Sequence, residues 1–222
     1  VSTMPDGTVF SLRSHDGDYY LKYNGNELMS TSQTYSERHL ADLGLKHILP
    51  DKATRPDHPK VLIGGLGLGF TLKRTLDLIG KPATVEVAEL MTPIIEWNHT
   101  FLVDYNGPLL DDPRTVITQG DFHDTIQSKS KNSYDSLLID IDNTPDDLIT
   151  SGNNKMYSPA FLKKLKQILT PGGALCYWLS EPAPKFKKLL GQAGFKVEEH
   201  ASKPRENSKR ARHCILIARK PG

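Results

Sequence analysis

The chain has 222 residues, 37% of them hydrophobic and 24% charged, with a formal net charge of +2. That is the balance of an ordinary globular fold, with length for one sizeable core and a small appendage. No apolar run approaches the ~18 residues of a membrane span, and residues 1–30 hold no signal-peptide core, so the expectation is a cytoplasmic protein without a membrane segment.

The first 30 residues read as strands. Thr8 to Arg13 alternates, Asp16-Gly17 signals a turn, Tyr19 to Tyr23 alternates again, and Asn24-Gly25 marks a second turn before Glu27-Leu28-Met29. Such an antiparallel unit is too small to stand alone and is expected to pack on the main domain or on a second subunit. A helix is expected from about Ser36-Glu37, with Tyr35, Leu40, Leu43 and Leu45 as its apolar positions. The polar, proline-bearing stretch at 51–59 reads as a linker. It divides the chain into an N-terminal unit (1–50) and a main domain (60–222).

Beyond the linker, strand and helix alternate, the sign of a mostly parallel sheet with covering helices. Val61-Leu62-Ile63 is a buried-strand run that opens into Gly65-x-Gly67-x-Gly69, and Leu72, Leu76 and Ile79 then fall on one helical face. A strand turning through glycines into a helix exposes backbone N–H groups at the positive end of that helix. Thr84 to Glu89 is the next strand, and Glu89 stands 20 residues beyond Gly69. An acid at that spacing can take both hydroxyls of a ribose, so the pair implies a nucleoside-bearing ligand. Pro93 opens a helix through Ile94, Ile95 and Trp97. Further strands are expected at Arg114–Thr118, Tyr134–Asp140, Ala174–Leu179, Lys196–His200 and Cys214–Ala218, with helices at Phe161–Leu169 and Lys185–Ala193. The last two strands flank a loop and suggest a terminal hairpin with one antiparallel strand, a feature of methyltransferase-type sheets rather than nicotinamide-binding ones.

Four acids end successive strands or follow them closely: Glu89, Asp121, Asp140 and Asp142. In an open sheet of this kind the ligand lies across the carboxyl ends of the strands. Asp121, after Gly120, is placed to accept from a purine amine. Asp140 stands nearest the reacting centre, and Asp142 with Asn143 faces the acceptor. Met29, Tyr157 and Trp178 are candidate apolar walls. No His/Cys spacing points to a metal, and His123, beside Asp121 and Asp124, reads as a surface histidine. Cys176 and Cys214 both lie in apolar runs, as reduced, buried thiols would. Residues 201–222 hold seven Lys/Arg against one Glu, concentrated in Lys203–Arg212. Without interleaved aromatic residues this reads as a solvated hairpin loop, which argues against a nucleic-acid partner.

These residues together resemble the spermidine synthase family of polyamine aminopropyltransferases, and the class I S-adenosylmethionine-dependent methyltransferases that share its fold. The similar stretches are Leu12 to Ser30, Val61–Gly69, Val87-Ala88-Glu89-Leu90, Gly120-Asp121-Phe122 and Tyr134–Asp140. The resemblance implies an α/β, Rossmann-like methyltransferase-type sheet with a small N-terminal β unit. It also implies S-adenosylmethionine or its decarboxylated form as cofactor, and a homodimer. On its pattern, Gly65, Gly67, Leu68, Gly69, Glu89, Leu90, Gly120, Asp121, Phe122 and Asp140 hold the cofactor, while Asp140 and Asp142 are catalytic and Asp142, Asn143 and Trp178 face a small-molecule acceptor.

The departures lie on the amine side. Leu68 stands where the family carries an aspartate for the aminopropyl amine, Gln33 and Thr34 stand where an acidic pair is expected, and Asn143 replaces the second aspartate of Asp-x-x-Asp. An unpaired buried ammonium is strongly unfavourable. The expectation is therefore transfer of a methyl or other alkyl group to a small-molecule nucleophile. The alternatives are aminopropyl transfer using Asp140 with Asp142, and a non-catalytic nucleoside-binding module.

Overall fold

A computed structural model describes residues 1–3, 7–49, 56–141, 144–145 and 151–222. Four short strands come first: β1 (Ser2–Thr3), β2 (Val9–His15), β3 (Asp18–Tyr23) and β4 (Asn26–Ser30), joined in the order β1-β2-β3-β4 with every pair antiparallel. Both turns signalled by the sequence are present. Asp16-Gly17 and Asn24-Gly25 have left-handed φ at both positions (50° and 84°, then 46° and 83°), the backbone twist that matches a two-residue hairpin. Phe10 and Leu21 turn inward to the main core.

Helix α1 (Tyr35–Leu45) follows and packs on the main domain. Its buried face is Glu37, Leu40, Ala41, Gly44 and Leu45, an i, i+3, i+4, i+7, i+8 stripe. At Gly44 an added Cβ would run into Leu138 and Cys176. The helix therefore lies directly on the sheet, with no room for a larger residue at that point.

The main sheet is built from β5 (Lys60–Gly64), β6 (Thr84–Glu89), β7 (Thr115–Gln119), β8 (Tyr134–Ile139), β9 (Leu169–Leu179), β10 (Lys196–Ser202) and β11 (His213–Arg219), in the order β10-β11-β9-β8-β5-β6-β7. All run parallel except β11, which is antiparallel to both β9 and β10. Strand order reverses at β5, so the crevice of this sheet opens beside β5 and β8. The covering helices are α2 (Phe70–Ile79), α3 (Thr92–Thr100), the short α4 (Val103–Asn106), α5 (Phe122–Ser128), α6 (Pro159–Ile168) and α7 (Pro184–Gln192). Central strands feed both faces: Val61 and Ile63 join the core under α1 and α2, whereas Leu62 joins the one holding residues of α5, α6 and α7.

The α/β, methyltransferase-type sheet with an antiparallel member of the closing hairpin agrees with the sequence expectation. Two details differ. Strand β9 begins at Leu169, directly after α6, so Thr170–Gly173 belong to the strand and not to a separate loop. Helix α5 is not anticipated by the sequence reading; its seven residues are too few for a visible apolar period, although Asp121 caps it by accepting the Asp124 N–H at 3.2 Å. Cys176 and Cys214 are buried free thiols whose pKa values burial raises. Among the described residues no helix is long and apolar enough to cross a membrane.

Candidate active site

A cleft lies over the carboxyl ends of β5, β6, β7 and β8, roofed by the N-terminal sheet. Its floor is the glycine loop. Gly65 (φ 88°) donates its N–H to the Ala88 carbonyl at 2.9 Å, and an added Cβ there would collide with the Asp140 carbonyl oxygen. Gly67 (φ 51°) runs under the Met29 thioether, where a Cβ would lie 2.8 Å from the sulfur. Only glycine satisfies both the left-handed backbone and the close approach. Two buried asparagines pin the loop: Asn98 Nδ2 donates to the Gly67 carbonyl at 2.9 Å and Asn106 Nδ2 to the Leu68 carbonyl at 2.7 Å.

Glu89 ends β6 and is only 6% exposed. Its two carboxylate oxygens accept the Leu66 and Met91 N–H groups, each at 2.8 Å. Burial pushes its pKa up, against the pull of these amides, which fix the carboxyl group at the cleft wall. Leu90 beside it is exposed and also lines the cleft. At the end of β7, Gly120, Asp121 and Phe122 complete this side. Asp121 is both helix cap and cleft residue, and Lys155 approaches it to 3.4 Å. Gly65, Gly67, Glu89, Leu90, Gly120, Asp121, Phe122 and Asp140 are thus brought together as the sequence indicated.

Other expected site residues lie elsewhere. Leu68 turns its side chain into the core at 1% exposure, and neither it nor Gly69 lines the cleft. Gly69 instead provides the left-handed N-cap of α2, with φ 87°. Tyr157 packs in the core against Tyr177 and Phe186 and is not a cleft wall. Met29 and Trp178 do line the cleft. Asp142 and Asn143 lie outside the described residues. His123 stacks on Phe161 at 4.9 Å and meets Asp124 at 3.1 Å. With Asp121 it forms a group whose ligand atoms all lie within 4.8 Å, but the helix cap and Lys155 already engage Asp121.

One residue of the cleft escaped the sequence reading. Glu37, on the buried face of α1 and 5% exposed, lines the cleft together with Asp140. Its carboxylate accepts from Ser36 Oγ at 2.7 Å. Thr71 Oγ1, at the start of α2, donates to Asp140 Oδ2 at 3.0 Å and lies 3.5 Å from the Glu37 carbonyl oxygen. Burial raises the pKa of Glu37, and the charge of Asp140 raises it further; burial likewise raises Asp140, against the Thr71 hydrogen bond. Two acids in one low-dielectric site do not both ionise readily, so the pair retains a proton near neutrality. A cation entering the cleft would take the place of that proton and let both acids ionise. The amine side is therefore not stripped of acids, as the losses at Gln33, Thr34 and Leu68 suggested. The signal was present: an acid whose i+3, i+4, i+7 and i+8 neighbours are Leu40, Ala41, Gly44 and Leu45 sits on the apolar face of its helix.

No family model matches the chain. A polyamine aminopropyltransferase of Shewanella oneidensis is 28% identical over 202 residues, covering 82% of this chain and 33% of that protein. The chain thus spans a third of that relative's length. The spermidine synthase of Thermotoga maritima superposes with a TM-score of 0.73 over 96% of this chain and 69% of that one, at 17% identity. A spermidine synthase bound to the transition-state analogue AdoDATO gives 0.75 over 96% and 70%, also at 17% identity. In sequence the chain is similar to the aminopropyltransferases, and in fold to the spermidine synthases and their class I methyltransferase-type sheet.

Proposed function

We propose that this chain is a transferase domain that moves an aminopropyl group from decarboxylated S-adenosylmethionine to an amine acceptor. The observation that carries the reading is the buried Glu37–Asp140 pair facing the cleft. An ammonium entering there takes the place of the shared proton, whereas a donor tail that also carries a carboxylate brings a further negative charge to the pair. The similarity to named aminopropyltransferases points the same way.

The nucleoside half fits such a donor. Gly65 and Gly67 leave the loop backbone bare, and Glu89, already anchored by two amides, has acceptor capacity left for ribose hydroxyls. Asp121 would accept from the purine amine, and Phe122 and Leu90 would flank the base. When bound, the sulfonium supplies an electrophilic carbon and a good leaving group. The work left to the protein is alignment, exclusion of water and removal of a proton from the acceptor nitrogen. Asp140, held by Thr71, is the base for that proton, and Glu37 holds the neighbouring positive charge.

A second reading, methyl transfer from S-adenosylmethionine, is favoured by one observation: Leu68 is apolar and buried where an aminopropyl-binding acid is expected. Incubating the protein with each donor and a set of amines, then weighing the products, separates the two. An aminopropyl mass increment, seen only with the decarboxylated donor, is the expected result. A methyl increment would replace this reading with the second one.

A further inference from the structure

The β10–β11 hairpin opens at the same edge of the sheet as the cleft, and topology requires it. Strand β10 runs parallel to the central strands and ends at Ser202, while antiparallel β11 starts at His213. The intervening segment, 203–212, carries Lys203, Arg205, Lys209, Arg210 and Arg212 against Glu206 alone. None of these five cations is ion-paired among the described residues, and Arg205, Lys209, Arg210 and Arg212 are exposed.

Both stems of this loop rest on the acceptor side of the cleft. Arg205 Nε and Nη2 donate to the Ser32 carbonyl at 3.1 Å and to Ser32 Oγ at 3.3 Å, and the Tyr35 N–H reaches the Pro204 carbonyl at 3.4 Å. Ser32 and Tyr35 lie between Met29 and Glu37, both cleft-lining. At the other stem the His213 ring packs on cleft-lining Trp178, with centroids 4.9 Å apart. The acceptor side therefore has an acidic floor, and both stems of the basic loop rest beside it.

We propose that the rim receives an anionic group of the acceptor, so that the acceptor is a carboxylate-bearing amine of the amino-acid type and not a plain diamine. This rests on the reading of the cleft as an amine-accepting transferase site. A diamine would bring its second ammonium toward a loop of five cations with Glu206 as its one acid, which disfavours it. A carboxylate finds there the exposed guanidinium groups of Arg210 and Arg212, whose forks suit bidentate binding. The cluster lacks aromatic residues for base stacking, so an acidic small molecule fits it better than a nucleic acid.

The test is calorimetric titration of the protein loaded with methylthioadenosine, using acceptors matched in length: putrescine against ornithine, cadaverine against lysine, agmatine against arginine. Each amino acid is expected to bind about tenfold or more tightly than its decarboxylated counterpart, with the advantage shrinking as salt is raised. Arg205→Glu should reverse the preference. Because Arg205 also holds Ser32, the exposed Arg210→Glu is the second variant and should erode the preference without that contact being touched. Diamines binding as well as or better than amino acids, indifference to both charge reversals, binding of neither series, or tight binding of single-stranded RNA alone would each overturn the proposal. Methylthioadenosine binding, read in the loading step, fails separately if the nucleoside half has been misassigned.

Discussion

On the proposed reading the cleft has a nucleoside half and an acceptor half, and the two are built differently. The nucleoside half comes from three strand ends within one stretch of chain, and its groups are fixed by hydrogen bonds between side chain and backbone: Glu89 by the Leu66 and Met91 amides, the glycine loop by the Asn98 and Asn106 side chains, Asp121 by the first turn of α5. The acceptor half is assembled from α1, the end of β8 and Trp178 of β9, which are distant in sequence. Its acids accept side-chain hydrogen bonds from Ser36 and Thr71, and their mutual repulsion is relieved by a retained proton or by an entering cation. One half is preorganised before any ligand arrives, and the other stores an electrostatic cost that its ligand removes. That difference predicts which substitutions act on binding of the nucleoside and which on the reaction.

The largest effect is expected at Asp140. Asp140→Asn should lower kcat about 10³-fold, within the range for loss of a general base, while methylthioadenosine affinity changes little. Equal losses in both would mean that Asp140 serves the glycine loop, whose Gly65 lies against its carbonyl oxygen, and the two halves would not be separable.

Next comes Glu37. Glu37→Gln removes one charge of the pair and should weaken a cationic acceptor about tenfold to a hundredfold, measured by titration against nucleoside-loaded protein. Its pH dependence sharpens the point. In the native pair the cation must displace a proton, so acceptor affinity should rise with pH from about 5 to 8, and the substituted protein should lose most of that slope. An unchanged slope would place the titrating acid elsewhere. For the other half, Glu89→Gln should weaken methylthioadenosine about tenfold, the cost of replacing charged with neutral hydrogen bonds, and leave acceptor binding to the loaded protein unaltered.

This asymmetry also governs what the sequence discloses. Gly65, Gly67, Glu89 and Asp121 follow strands at regular offsets, so spacing alone finds them, and the class of sheet follows from the alternation of strand and helix. Leu68 is misplaced because a loop motif gives positions but not side-chain directions; the left-handed turns on either side point Leu68 inward. Glu37 is missed because its meaning depends on Asp140, more than a hundred residues away, and on α1 lying flat on the sheet through Gly44. The basic loop is visible as composition, but its position at the cleft requires the antiparallel sense of β11.

The smallest expected effect concerns stability, and its sign is fixed by the same pair. Glu37 in the folded state has its pKa raised above the ordinary 4.5, so the native protein holds a proton that the unfolded chain releases. Its contribution to stability is complete below pH 4.5 and is lost as pH climbs through neutrality. Asp140 and Glu89, also raised, act in the same sense. The lowered carboxyls of Glu86 and Asp112 change stability only below 4.5 and 3.8, outside this window. His39 and His213, lowered by burial, act oppositely, since stability rises with pH until their unfolded value of 6.5 is passed. Comparing wild type with Glu37→Gln cancels all of these except the part of Asp140 that depends on Glu37. The substitution should leave the melting temperature nearly unchanged at pH 4.5 and raise it at pH 8, by about 2–4 °C for each kcal/mol of relieved repulsion and desolvation. A melting difference that stays flat from pH 4.5 to 8 would mean that Glu37 and Asp140 share no proton. The acceptor half would then be as preorganised as the nucleoside half.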